Sequence, residues 1–269
     1  MDLVTVTYNG DENQMILQAE SIQKFVDKCN HWVVINELDA DIDYWKKLLS
    51  KYYTNHTLKL LTPDSFNSFC HHDDLPVNGW HRQQYYKLKI ADIIKTKYLI
   101  LDSKNFFIKP TKLSEWNTVV GCGVKNTWKD SPNDYFYKVA RMYCIFFKMK
   151  IPKDYLMWAT PFVIDPDVLK SSNYFNELKK YLYTPVGTSE FLFYSIIMQN
   201  HPDYINFVEQ KKHFTIWDHY INDDDIKEVL YRRIKTVNVI GIHKRFINQP
   251  NHIAWVNAWL KETGFDFQF

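Results

Sequence analysis

Two short runs of unbroken apolar residues, WVVI at 32–35 and YLIL at 98–101, most restrict what this chain can fold into. Four such residues are too few for a helix and fit a strand buried on both faces. Around them lie stretches whose apolar residues recur at helical spacing. Met15, Ile16, Ala19, Ile22, Phe25 and Val26 mark one helix within 13–29, and Ile42, Trp45, Leu48 and Leu49 mark another, with Asp41 or Asp43 near its start. The alternating segment 3–8 and the segment 58–61 supply two more strands. This order predicts right-handed βαβ units and a mostly parallel central sheet flanked by helices, an α/β fold.

The run at 98–101 ends in Asp102-Ser103-Lys104-Asn105 before Phe106, Phe107 and Ile108 resume and Pro110 stops them. A buried strand thus delivers a carboxylate to its own C-terminal edge, where open α/β sheets bind ligands. Asp is also a common turn former, so the position alone does not assign a role. The segment just before it, Gly79-Trp80-His81-Arg82-Gln83-Gln84, opens an amphipathic helix over 80–94 and sets Arg82 and Gln83 in its first turn, facing the same rim.

Composition removes several alternatives. A net charge of +2 gives no field that points to nucleic acid or an anionic surface. Cys29, Cys70, Cys122 and Cys144 are scattered, without a C-x-x-C pair, and fit reduced thiols better than a disulfide framework or zinc site. With only 7 glycines, and Gly121-Cys122-Gly123 lacking a third, no Gly-rich phosphate cradle is present. A bound nucleotide must be held by side chains and strand ends. The opening MDLVTVTYNG reads as a strand rather than a leader, and no apolar run is long enough to cross a bilayer. The expectation is a soluble, cytoplasmic protein, with peripheral attachment at a membrane surface left open.

Along the remaining chain, 62–79 is a polar loop carrying His71, His72, Asp73 and Asp74, either a solvated lid or part of a metal site. A strand over 116–124 and a helix over 134–148 follow. The segment 156–164 reads as one strand, antiparallel or at an edge because of Pro161. Asp165-Pro166-Asp167 opens a helix. Thr188 or Ser189 caps another, in which Glu190 is either a first-turn acid suited to the helix dipole or a functional carboxylate. Strands at 207–208 and 237–242 and a helix over 251–261 complete a single domain, 1–269, with a nucleotide-binding half near 1–110 and an acceptor-side half near 111–269.

The succession VTVTYNGD, GWHRQQYYKL, YLILDSKNFFIKP, ATPFVID, TSEFLFY and GIHKR resembles GT-A-type nucleotide-sugar glycosyltransferases, closest to the bacterial and viral group with a GW-x-RQQ helix and an LDSD-like strand end. The resemblance implies one GT-A-like domain with an antiparallel sheet edge. It implies a hexosyl- or pentosyltransferase of glycan biosynthesis, moving a sugar from a UDP- or GDP-type donor to a hydroxyl on a glycan, lipid-linked sugar or protein. In such enzymes the D-x-D acids hold ribose and a Mn²⁺ or Mg²⁺ ion, and a late histidine completes the coordination. By that likeness Asp102 is the first acid and His243 the late histidine. Tyr8 and Asp11 flank the nucleotide, Arg82 and Gln83 reach the phosphates or donor sugar, and Glu190 is the catalytic carboxylate.

One departure is chemical. Lys104 stands where the second acid belongs, and an ammonium cannot ligate a metal and repels one nearby. Three readings stay open. Asn105 supplies the ligand with Lys104 turned outward; Lys104, Lys244 and Arg245 neutralise the pyrophosphate without metal; or the chain is a non-catalytic sugar-nucleotide or glycan-binding protein with a degenerate D-x-D.

Overall fold

The computed structural model describes residues 1–66, 78–116, 123–125, 134–151, 155–157, 160–201, 213–216, 235–248 and 250–269. The loop histidines His71 and His72, Cys70, Cys122, most of the expected strand over 116–124 and the one at 207–208 lie outside these residues.

The first half alternates as expected: β1 (Asp2–Thr7), α1 (Glu12–Phe25), β2 (Asn30–Ile35), α2 (Ile42–Leu49), β3 (Thr57–Leu61), α3 (Gly79–Lys89) and β4 (Tyr98–Asp102). The expected helix over 80–94 ends at Lys89 and tightens into a 3₁₀ turn, Ile90–Asp92. Then come β5 (Asn105–Phe107), β6 (Gly123–Lys125), α4 (Tyr135–Phe146), β7 (Tyr155–Met157) and β8 (Phe162–Ile164). The helices α5 (Pro166–Ser171), α6 (Asn173–Asn176), α7 (Leu178–Leu182) and α8 (Glu190–Ile197) lead to β9 (His213–Ile216), β10 (Val239–Ile242), α9 (Lys244–Ile247) and α10 (Pro250–Glu262).

The central sheet has the order β3-β2-β1-β4-β8. Its first four strands are parallel, and β8 closes the edge antiparallel to β4, with Leu99 opposite Val163. The segment read as one strand over 156–164 is therefore two. β7 pairs with β6, and β8 joins the central sheet beyond the Thr160–Pro161 peptide, which is cis. A proline has no N–H for a ladder, so the chain changes sheet there. A second sheet, β5-β10-β9, sets the end of β10 beside the end of β4.

β4 is the inner strand the sequence suggests: Tyr98, Leu99, Ile100 and Leu101 are all fully buried. Each aliphatic side chain so buried contributes about 1.5–3 kcal/mol. Because β1, β2 and β4 run parallel, their C-terminal ends meet on one rim. Tyr8 to Asp11 and Asn36 follow β1 and β2 directly, and Asp102 ends β4 with Ser103 and Lys104 next. A helix leading into β4 must start on that rim, and α3 does: Asn36 Nδ2 donates to the Gly79 carbonyl at 2.8 Å, and Gln83 Nε2 to the Val6 carbonyl at 2.8 Å. Among the described residues, no helix is long and apolar enough to cross a membrane.

Candidate active site

The rim encloses a cleft of about 510 Å³ lined by residues from the turn after β1, α1, α3, the end of β4 and the turn after it, α8 and the segment just after β10. Of the residues singled out from the sequence, Tyr8, Asp11, Gln83, Asp102, Lys104, Glu190, His243 and Lys244 line it. Arg82, Asn105 and Arg245 are not among its lining residues. Asn105 is fully buried beneath the strand end, and its Oδ1 accepts from the Asp102 backbone N–H at 2.8 Å. Asn105 thus sits beneath the strand end rather than on the cleft wall, where the reading that gave it a metal-ligand role needs it. Arg245 lies exposed in the short helix α9, and its backbone N–H donates to His243 Nδ1 at 3.3 Å.

A chain of charges runs through the floor of the cleft. Lys87, whose side chain is 2 % exposed, reaches Asp102 Oδ1 at 2.6 Å and Glu190 Oε1 at 2.8 Å. Asp102 Oδ2 accepts from Thr160 Oγ1 at 2.7 Å and from the Lys104 ammonium. Lys104 is thus turned inward, against the one of the three open readings in which it points away. Its carbonyl accepts from Ile242 N–H at 3.0 Å, which ties the β4–β5 turn to the end of β10. Glu190 itself is held by the Ser189 cap, whose Oγ accepts from Leu192 N–H at 3.3 Å, and by its own N–H donating to Gln84 Oε1 at 3.1 Å.

The two carboxylates sharing Lys87 behave differently for a physical reason. Burial pushes the Asp102 carboxyl up, but Lys104 and then Lys87 outweigh it and hold Asp102 well below the usual range. Burial also pushes Glu190 up, and although Lys87 opposes this the net shift stays upward. Lys87 is desolvated, yet Asp102 and Glu190 together raise it, so it stays charged. The second Glu190 oxygen, Oε2, is buried and has no hydrogen-bond partner among the described residues. A carboxylate with one oxygen fixed and the other unpaired is set to accept a proton.

On the opposite wall, buried Asp11 accepts from Ser103 Oγ at 2.6 Å and lies 3.6 Å from Lys244 Nζ. Burial raises Asp11, with Ser103 and Lys244 opposing. Lys244 also donates to the Gly10 carbonyl and sits 5.8 Å from the centroid of the Tyr8 ring, which is 42 % exposed. His243 caps α9.

A divalent cation does not fit this donor set. Among the described residues no group of three or more His, Cys, Asp or Glu side chains could hold one. Both Asp102 oxygens are already occupied, two of their partners being ammonium groups. A dication about 4 Å from a single ammonium is opposed by roughly 8 kcal/mol at an effective dielectric of about 20.

Lys87, Thr160, Gln84 and Ser103 lie inside the quoted motifs, but no role for them was read from the sequence. Lys87 had a readable signal. It lies in a stretch of α3 where Gln84, Tyr85, Tyr86 and Leu88 are also buried, and a lysine there demands a carboxylate partner. Thr160 and Ser103 act through single hydroxyls, which leave no pattern.

The fold recurs in solved glycosyltransferases. The galactosyltransferase LgtC, in complex with donor and acceptor sugar analogs, matches at 15% identity and a TM-score of 0.55, covering 98% of this chain and 95% of that one. Mouse xyloside xylosyltransferase 1 in its apo form matches at 10% identity and 0.52, covering 89% and 96%. The apo structure of the bifunctional glycosyltransferase WbbM matches at 15% identity and 0.52, covering 90% of this chain and 45% of that one, so this chain spans less than half of WbbM. At these identities the likeness establishes a common fold. No curated protein matches the chain in sequence. Residues 3–231 match the family of unknown function DUF6492, and the chain belongs to that family, built on the fold of the GT-A glycosyltransferases.

Proposed function

We propose that the chain transfers a sugar from a nucleoside diphosphate sugar, of UDP or GDP type, to a hydroxyl on a glycan, lipid-linked sugar or protein. The observation that carries this reading is the pairing of Glu190, buried with one oxygen unpartnered among the described residues, with the ammonium groups of Lys104 and Lys244 in one cleft at the sheet's C-terminal rim.

Each part has a task in that reaction. As the bond between the sugar's anomeric carbon and the diphosphate breaks, negative charge grows on the leaving phosphate, and cations at the rim lower the barrier by stabilising it. Tyr8 offers a half-exposed ring for a base to stack on. Gln83, fixed by its bond to Val6, presents its remaining amide atoms to the cleft. In an inverting transfer, the acceptor oxygen bonds to the anomeric carbon and its proton passes to Glu190 Oε2. In a retaining transfer, the same carboxylate faces the developing oxocarbenium ion.

The test is release of nucleoside diphosphate from a panel of UDP- and GDP-sugars, followed by mass spectrometry with and without simple sugar acceptors. Turnover that disappears in Glu190→Gln supports the reading. Tight donor binding without turnover by any donor identifies a sugar-nucleotide-binding protein instead, the reading favoured by Lys104 in place of an acid.

A further inference from the structure

We propose that Asp102 is a positioning residue for Lys104, and that Lys104 with Lys244 holds the ligand's diphosphate in place of a divalent cation. The inference rests on the reading of the cleft as a nucleoside diphosphate site and specifies how that site meets negative charge.

Three observations support it. Both Asp102 oxygens are filled by Lys87, Lys104 and Thr160, so this carboxylate orients cations that already belong to the chain. The two lysines on Asp102 also differ in access. Lys87 is 2 % exposed and tied to Glu190 as well, so it cannot turn to a ligand without stranding a buried carboxylate. Lys104 is 21 % exposed and lines the cleft, with its backbone pinned to β10 by the Ile242 N–H. Finally, a second reachable ammonium, Lys244 at 42 % exposure, lines the same cleft from the end of β10 and is aligned by Asp11 and the Gly10 carbonyl. Two ammonium groups that line one cleft, each oriented by a carboxylate, suit the non-bridging oxygens of a diphosphate.

Titration calorimetry with UDP and GDP tests this on the full chain, in excess EDTA and again in manganese. The wild type is expected to bind one of the two equally in both buffers. K104M should weaken that binding by about tenfold to a hundredfold, the worth of one charge-assisted hydrogen bond, while leaving binding of the bare nucleoside unchanged. K104R should restore most of the loss. D102N should weaken binding too, and D102N/K104M no more than K104M alone, since Asp102 acts through Lys104. D102N is read beside its own unfolding curve, whereas K104M, at the exposed end of the network, stands by itself. Binding that requires manganese, or K104M binding like wild type, overturns the inference and leaves the nucleotide-site reading standing. Failure of both nucleotides to bind in either buffer removes that reading and the inference with it.

Discussion

Replacing Lys87 with methionine is the sharpest perturbation of this architecture. Its ammonium is the shared cation of Glu190, 1 % exposed, and Asp102, 18 % exposed, at 2.8 and 2.6 Å. Methionine fills similar volume, so the loss is electrostatic rather than a cavity. Removing one partner from a buried ion pair costs about 3–5 kcal/mol. Asp102 keeps Lys104 and Thr160, which places most of that cost on Glu190. With roughly 2–4 °C per kcal/mol for a domain near this size, melting should fall by roughly 6–20 °C at about pH 7. The pH dependence follows from linkage. Without Lys87, the Glu190 carboxyl rises further above its unfolded value, so the folded state binds its proton more tightly and the variant gains stability as pH falls. The deficit relative to wild type should therefore shrink between about pH 7 and pH 5. Adding E190Q to K87M should recover most of it at neutral pH. Thermal and urea unfolding followed by circular dichroism measure all three proteins. A K87M protein within about 1 kcal/mol of wild type, or a deficit that does not change with pH, would refute the claim that this lysine neutralises two acids.

Further expectations follow from individual residues. E190Q should lower transfer by about 10²–10⁴, and the wild-type rate should fall on the acid side through a pKa above the ordinary glutamate range, because burial raises that carboxyl and the unprotonated form is required; a pH–rate profile checks this. Gly187 has φ +143°, and a Cβ there would overlap the Tyr135 ring, whose hydroxyl bonds both N–H and carbonyl of Thr188 just before Glu190. G187A should cost about 1–3 kcal/mol in urea unfolding and lower transfer as the Ser189 cap shifts. Burial pushes the thiol of Cys29 up to about 12 and that of Cys144 to about 11, so peptide mapping after iodoacetamide treatment of the folded protein near pH 8 should find neither labelled.

Much of the scaffold could be read from periodicity, since two inner strands are short apolar runs, the first strand alternates, and the early helices repeat at their own spacing. Asp102 was legible for the same reason: a strand whose last residue alone is polar names its own rim. The break at Thr160–Pro161 was harder to place, because 156–164 looks continuous until the two ends pair with different sheets. The site was half legible. Glu190 and Asp102 stand 88 residues apart, and what joins them is one lysine whose helix is buried on several faces, so no polar stripe marks it. Which way Lys104 points depends on the Asp102 carboxylate and the Thr160 hydroxyl, a tertiary arrangement that spacing alone does not encode.

The decisive experiment is a crystal structure of the protein grown with UDP or GDP and a slowly transferred donor analogue. The diphosphate should lie at the rim between Lys104 and Lys244, with the sugar's anomeric carbon facing Glu190 Oε2. A nucleotide bound away from these groups, or a sugar turned from Glu190 with the cleft floor empty, would contradict it.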